Sequence, residues 1–126
     1  MDVVRRVEQR TTETPNAVMT TLVSPTLGGA GQALWEVRMA PGAAGPEHDM
    51  SGEQLWTVRA GALTVELDGV PSATLSVGDS VVLPPGRQRR LLADPRDGAT
   101  ALVTGPGDAH ALLPDGTDRG VPGWIA

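Results

Sequence analysis

The spacing of glycine and proline constrains this chain more than any other feature. Gly42 and Gly61 bracket one segment, and Gly78, Pro84 and Gly86 punctuate a second. Between these corners lie short runs of β-branched and apolar residues, with no helix-period stretch of useful length. Leu55 to Gly69 reads as two strands around a Gly turn, and Val81 to Leu83 runs into the rigid corner Pro84-Pro85-Gly86. Ala33 to Met39 alternates, with Trp35, Val37 and Met39 on one face and Leu34, Glu36 and Arg38 on the other. Ala17 to Val23, Thr74 to Val77, Gln88 to Leu92 and Ala99 to Thr104 read as further strands, the last two joined by the turn Asp94 to Gly98. Residues 1–15 read as an N-terminal arm or edge strand. Residues 105–126 read as a loop-like tail, with one helical turn over Asp108 to Leu113. Many short strands with Gly/Pro turns predict an all-β sandwich or barrel. A length of 126 residues suits one domain, 1–126, built on one core.

The two punctuated segments also share an internal spacing. Gly42 is followed after five residues by His48-Asp49-Met50, after three more by Gln54, and after six more by Gly61. Gly78 is followed after five residues by Pro84-Pro85-Gly86, and after two more by Arg89. This frame resembles the two signature motifs of the cupin superfamily over roughly residues 32–104. The resemblance implies a single-domain cupin-like jelly roll, with positions 48, 50, 54 and 89 turned into the barrel as metal ligands. The glycine and proline frame matches, but the ligands do not. His48 stands at the first His position, whereas Met50, Gln54 and Arg89 stand where the family carries His, Glu and His. Thioether sulfur suits soft metal ions, and a guanidinium has no lone pair to donate. The expectation is therefore no cofactor, with a divalent metal held by His48 and Gln54 as the runner-up. The resemblance also implies a homodimer, since family members often pair through sheet edges and short terminal arms fit strand exchange.

Composition narrows the chemistry. The chain has no Cys, Tyr or Phe and no Lys, so disulfides, thiolate metal sites, Schiff bases and a tyrosine acid are excluded. Proton transfer falls to His48, His110 and the carboxylates. The formal charge of −5 argues against nucleic acid as a partner, and no stretch has the length or hydropathy of a membrane span. The N-terminus has no apolar signal core, so a cytoplasmic location is expected. Every basic residue is Arg, and residues with AT-rich codons are scarce, which suggests a bacterial genome of high GC content.

Strand parity places 48 with 50, and 54 with 56 and 58. Catalytic roles are thus expected for His48 as proton carrier and Arg89 as the grip on a carboxylate or enolate. Met50, Gln54, Trp56 and Val58 are expected to line the substrate pocket. The bland readings are an inherited, hydrogen-bonded His48 without chemistry and an Arg89 that reaches solvent from the rim. Trp124 is expected to dock on the barrel or on a neighbouring subunit, and His110 is the rival base. The leading functional reading is a small-molecule enzyme of bacterial specialised metabolism. It would perform metal-independent cyclisation, isomerisation or dehydration on a small-molecule, anionic ligand. The alternatives are a metal-dependent cupin such as a dioxygenase with atypical ligands, and a non-catalytic small-ligand-binding cupin.

Overall fold

The computed structural model describes residues 1–126. After a 3₁₀ turn at Arg6–Glu8 the chain forms β1 (Arg10–Glu13), β2 (Val18–Val23), β3 (Gln32–Met39), β4 (Asp49–Met50), β5 (Gln54–Gly61), β6 (Leu63–Leu67), β7 (Val70–Leu75), β8 (Ser80–Leu83), β9 (Arg89–Ala93), β10 (Ala99–Pro106) and β11 (Ala111–Leu112). One antiparallel sheet has six strands in the order β1-β2-β3-β10-β5-β8. The facing layer consists of β7-β6-β9 and the short pair β11-β4, linked through bridges at His48–Arg89 and Ala44–Leu92. The architecture is all-β, as the Gly/Pro punctuation predicts, and is the jelly roll that the motif resemblance implies. No helix is long and apolar enough to cross a membrane.

Alternation decides what goes inside. In β3, Ala33, Trp35, Val37 and Met39 are buried; in β10, Ala99, Ala101 and Val103 are buried. The register sets the two strand tryptophans on either side of a small residue: Val103 pairs with Trp35 on one flank and with Trp56 on the other. The next inner row runs Met19, Val37, Ala101, Val58. Narrow residues on the central strand leave room for wide ones beside it, so the inner surface is concave at its middle. One connected cluster of buried apolar residues draws on both layers. Each fully buried Leu, Val or Met in it contributes about 1.5–3 kcal/mol.

The framing glycine of the first motif has a specific task. Gly61 has φ +68°, and a Cβ there would collide with the carbonyl oxygen of Gly98. That carbonyl accepts from the Ala62 N–H at 3.1 Å. The β5–β6 turn therefore packs backbone to backbone against the turn that leads into β10, and no side chain fits between.

The N-terminal segment forms the expected edge strand, β1, whereas the tail differs from expectation. The turn over Asp108 to Leu113 is not helical. Ala111 pairs with Met50 and Leu112 with Asp49, and the Ser51 N–H donates to His110 O at 2.9 Å. The open edge of β4 offers unpaired backbone groups, and satisfying them outweighs a weak local helix preference. The chain then folds back over its own barrel. Thr21 Oγ1 donates to Trp124 O at 2.7 Å, and Ala126 O accepts from Ser24 Oγ (2.7 Å), Thr26 Oγ1 (2.9 Å) and Arg10 Nη2 (2.8 Å). Ile125 is 1% exposed. The N-terminal arm likewise supplies β1 to its own sheet. The arms are engaged within the one chain described.

Replacing Gly61 with Ala is expected to lower the free energy of unfolding by at least about 2 kcal/mol, since it combines a left-handed backbone with a clash against a carbonyl. Urea unfolding would show this as a lower midpoint at unchanged m-value; an unchanged midpoint would mean that the two turns can separate without cost.

Candidate functional site

Between the two layers lies a cavity of about 410 Å³, lined mainly by apolar side chains. Its floor and walls come from alternating positions of β2, β3 and β5, with the His48–Met50 segment and Leu91 of β9 opposite. Its mouth is bordered by Thr14, Asn16 and Ala17 of the β1–β2 turn, by Gly45-Pro46, and by the tail residues Leu113, Arg119, Gly120, Pro122 and Trp124. All three tryptophans of the chain, Trp35, Trp56 and Trp124, line this one space.

Of the residues expected here, the structure brings together His48, Met50, Gln54 and Trp56. His48 is half-buried. Its Nδ1 lies 3.0 Å from Pro46 O. A carbonyl only accepts, so Nδ1 carries the proton and Nε2 of the neutral ring keeps a free lone pair. Burial lowers the His48 pKa below the ordinary histidine value; the Pro46 hydrogen bond opposes the shift, the nearby Arg89 charge adds to it, and Asp49 opposes it. Gln54 is buried, and its Oε1 accepts from Trp56 Nε1 at 3.2 Å. Because an indole N–H can only donate, this contact fixes which way the amide points. Met50 is 2% exposed and supplies apolar wall.

Two expected pocket residues stand behind the wall. Val58 is fully buried on the inner face of β5 but is not part of the cavity lining. Arg89 is the larger correction. It does point inward, as strand pairing with His48 requires, and is 1% exposed. Yet it is not part of the cavity lining, and its guanidinium is turned into the β8–β9 corner. Nε donates to Arg87 O at 3.0 Å and Nη2 to Pro84 O at 2.6 Å. No carboxylate lies within ion-pair distance of its guanidinium. Nη1 is buried without a partner. Burial lowers the Arg89 pKa while Asp49 works against that shift. Arg89 is thus a polar brace for the Pro84-Pro85-Gly86 corner, rather than a grip on a ligand in this cavity.

His110, the rival base, is exposed and lies outside the cavity, with Nδ1 held at 3.0 Å by both oxygens of Asp118. Nothing in the sequence singles out Arg119. Only the folded tail carries it to the mouth, and no local motif signals that position.

The donor set also bears on how well these residues suit a metal. No three His, Cys, Asp or Glu side chains converge anywhere in the structure. Gln54 Oε1 is committed to Trp56, and a cation occupies position 89. A divalent ion needs four to six donors, so these residues do not fit one.

Comparisons with known proteins are specific about fold. The Cupin domain family matches residues 35–111. Among solved structures, the DMSP lyase DddQ from Ruegeria pomeroyi DSS-3 aligns at TM-score 0.73 and 22% identity, over 87% of this chain and 63% of that one. The polyketide cyclase RemF from Streptomyces resistomycificus aligns at TM-score 0.70 and 21% identity, over 84% of this chain and 79% of that one. KdgF from Halomonas sp. aligns at TM-score 0.68 and 22% identity, over 84% of this chain and 94% of that one. This chain therefore spans less than two thirds of the lyase, and identities at this level speak for the fold alone. No curated protein matches the sequence.

Two outcomes follow from the site. A histidine with a depressed folded pKa binds fewer protons folded than unfolded, so stability is full above the unfolded value of about 6.5 and falls as pH drops below it. Thermal unfolding should therefore move to lower temperature as pH falls below about 6.5 in the native protein, and the slope should flatten in His48→Gln. The Asp94 and Asp118 carboxyls, held low by backbone N–H donors, act in a separate window below about pH 4. Equal slopes in both proteins would mean that His48 is not desolvated. Separately, Arg89→Ala should destabilise by about 3 kcal/mol, because it strands two carbonyls and opens a void. Denaturant unfolding that places it within about 0.5 kcal/mol of the native protein would remove the brace.

Proposed function

Because the chain belongs to the Cupin domain family, whose fold hosts many chemistries, we propose that it is a small-molecule enzyme in which His48 performs metal-independent proton transfer within the barrel cavity. One observation carries the reading. The His48 ring is oriented by Pro46 O so that a neutral Nε2 is free on the wall of a largely apolar space. A base in such a site accepts a proton from an activated C–H. The imidazolium so formed, destabilised by burial and by Arg89, gives the proton back at another atom of the same substrate. The net result is isomerisation or ring closure, and loss of water if the proton goes to a leaving hydroxyl. A polyketide cyclase and a DMSP lyase share the fold.

The dioxygenase alternative needs metal ligands that the donor set lacks. A non-catalytic binding module would share the cavity but would show no dependence on His48.

Nitrobenzisoxazole tests the base directly. Removal of its ring C–H proton cleaves the N–O bond, and the electron pair leaves on a coloured cyanonitrophenolate. The native protein should catalyse this with saturation and with a rate that rises with pH to a plateau, through an inflection below about 6.5. His48→Gln should lose about two orders of magnitude in kcat, and His110→Gln should lose nothing. Full activity in His48→Gln would overturn the assignment.

A further inference from the structure

We propose that the cavity is built for an apolar organic anion, and that Arg119 at its mouth reads the negative charge. This rests on the reading of the cavity as a small-molecule site and names the chemical class that the site selects.

Charge is distributed to suit such a ligand. The chain carries 15 acidic residues against 10 basic ones, yet no Asp or Glu lines the cavity. Arg119 is the one lining side chain with a permanent charge. In an acidic protein, a cavity free of carboxylates with one cation at its entrance favours an anion over a neutral or cationic ligand.

The Arg119 guanidinium is also uncommitted, while its backbone is fixed. Three other arginines are spent on the protein itself. Arg10 holds Ser24, Thr26 and Ala126, Arg87 bonds Asp68 O, and Arg90 bonds Gly45 O. The Arg119 side chain makes no hydrogen bond or ion pair, although its N–H donates to Ala111 O at 2.8 Å and Ala111 N–H donates to Gly120 O at 3.0 Å. These two bonds lock residues 111 and 119–120 into a hairpin that presents Arg119 at the opening. The neighbouring carboxylates are turned to other tasks. Asp118 takes His110 and the Gly120 N–H, and Asp115, which does feel the Arg119 charge, caps the Thr117 N–H at 2.9 Å.

The rest of the lining fits the apolar end. Trp35, Trp56 and Trp124 give flat, wide walls suited to a ring system, and Met19 and Met39 adapt to its outline. A ligand with its rings among these side chains and its carboxylate, sulfonate or enolate at the mouth satisfies both ends. A planar guanidinium grips such a group with two parallel N–H donors.

Two fluorescent probes with the same aromatic skeleton separate charge from shape: anilinonaphthalene sulfonate, an anion, and N-phenylnaphthylamine, which is neutral. Both should bind the native protein and quench its tryptophans. Arg119→Gln should weaken the sulfonate about 10-fold or more and the neutral probe less than about 2-fold. Arg119→Lys should fall between, and Arg59→Gln, at an exposed position away from the cavity, should change neither. Added salt should weaken sulfonate binding to the native protein alone. Equal losses for both probes in Arg119→Gln, or salt-independent sulfonate binding, would overturn the charge assignment and leave the cavity as a ligand site. Failure of both probes to bind the native protein would overturn the cavity reading together with this inference. The proton-transfer assignment is read elsewhere, in the His48-dependent elimination, so the two can fail separately.

Discussion

Everything at the site depends on one exchange of backbone hydrogen bonds. His48 N–H donates to Arg89 O at 3.0 Å and Arg89 N–H donates to His48 O at 2.8 Å. This closed pair joins the short β4 segment to β9 and so completes the second layer of the barrel. It also fixes parity. Directly paired residues in an antiparallel ladder share a face, so both side chains must point between the layers. The first motif and the second are thereby brought into one site, although about forty residues of chain separate them.

Shared parity does not give shared purpose. His48 ends beside open cavity, with a carbonyl orienting its ring. Arg89 is long enough to turn back and find the carbonyls of its own corner. A buried guanidinium needs acceptors wherever they lie, and Pro84 and Arg87 are nearer than any ligand. A cation placed where a metal-binding frame expects a fourth donor changes the electrostatics of the whole site. It opposes protonation of His48, as burial does, and it leaves the centre of the barrel to apolar contacts and one titratable ring.

The tail supplies what the barrel lacks. Pairing with β4, then hairpin formation, then the seating of Ile125 and the capture of Ala126 O by Arg10, Ser24 and Thr26 bring the last residues over the opening. Trp124 and Arg119 reach the cavity by this route. The same contacts hold both arms against the barrel of this chain.

Local pattern is enough to set the strands, the corners and the inward set. Alternation in β3 and β5 belongs to the chain itself, and so do the turns at Gly61 and Pro84-Pro85-Gly86. That pattern already places His48, Met50, Gln54 and Trp56 in one cavity. Parity has only two values, however, and cannot tell a residue on a cavity wall from one packed behind it, so by parity alone Val58 and Arg89 come one step too far inward. Whether Arg89 reaches into its corner or into the cavity depends on which acceptors the folded chain brings near, and that is a long-range matter. Long-range pairing likewise draws Ala111–Leu112 out of a helical turn and into a ladder, since the partner edge lies some sixty residues away in the chain. The placement of Arg119 follows from that same pairing, and no spacing within the tail encodes it.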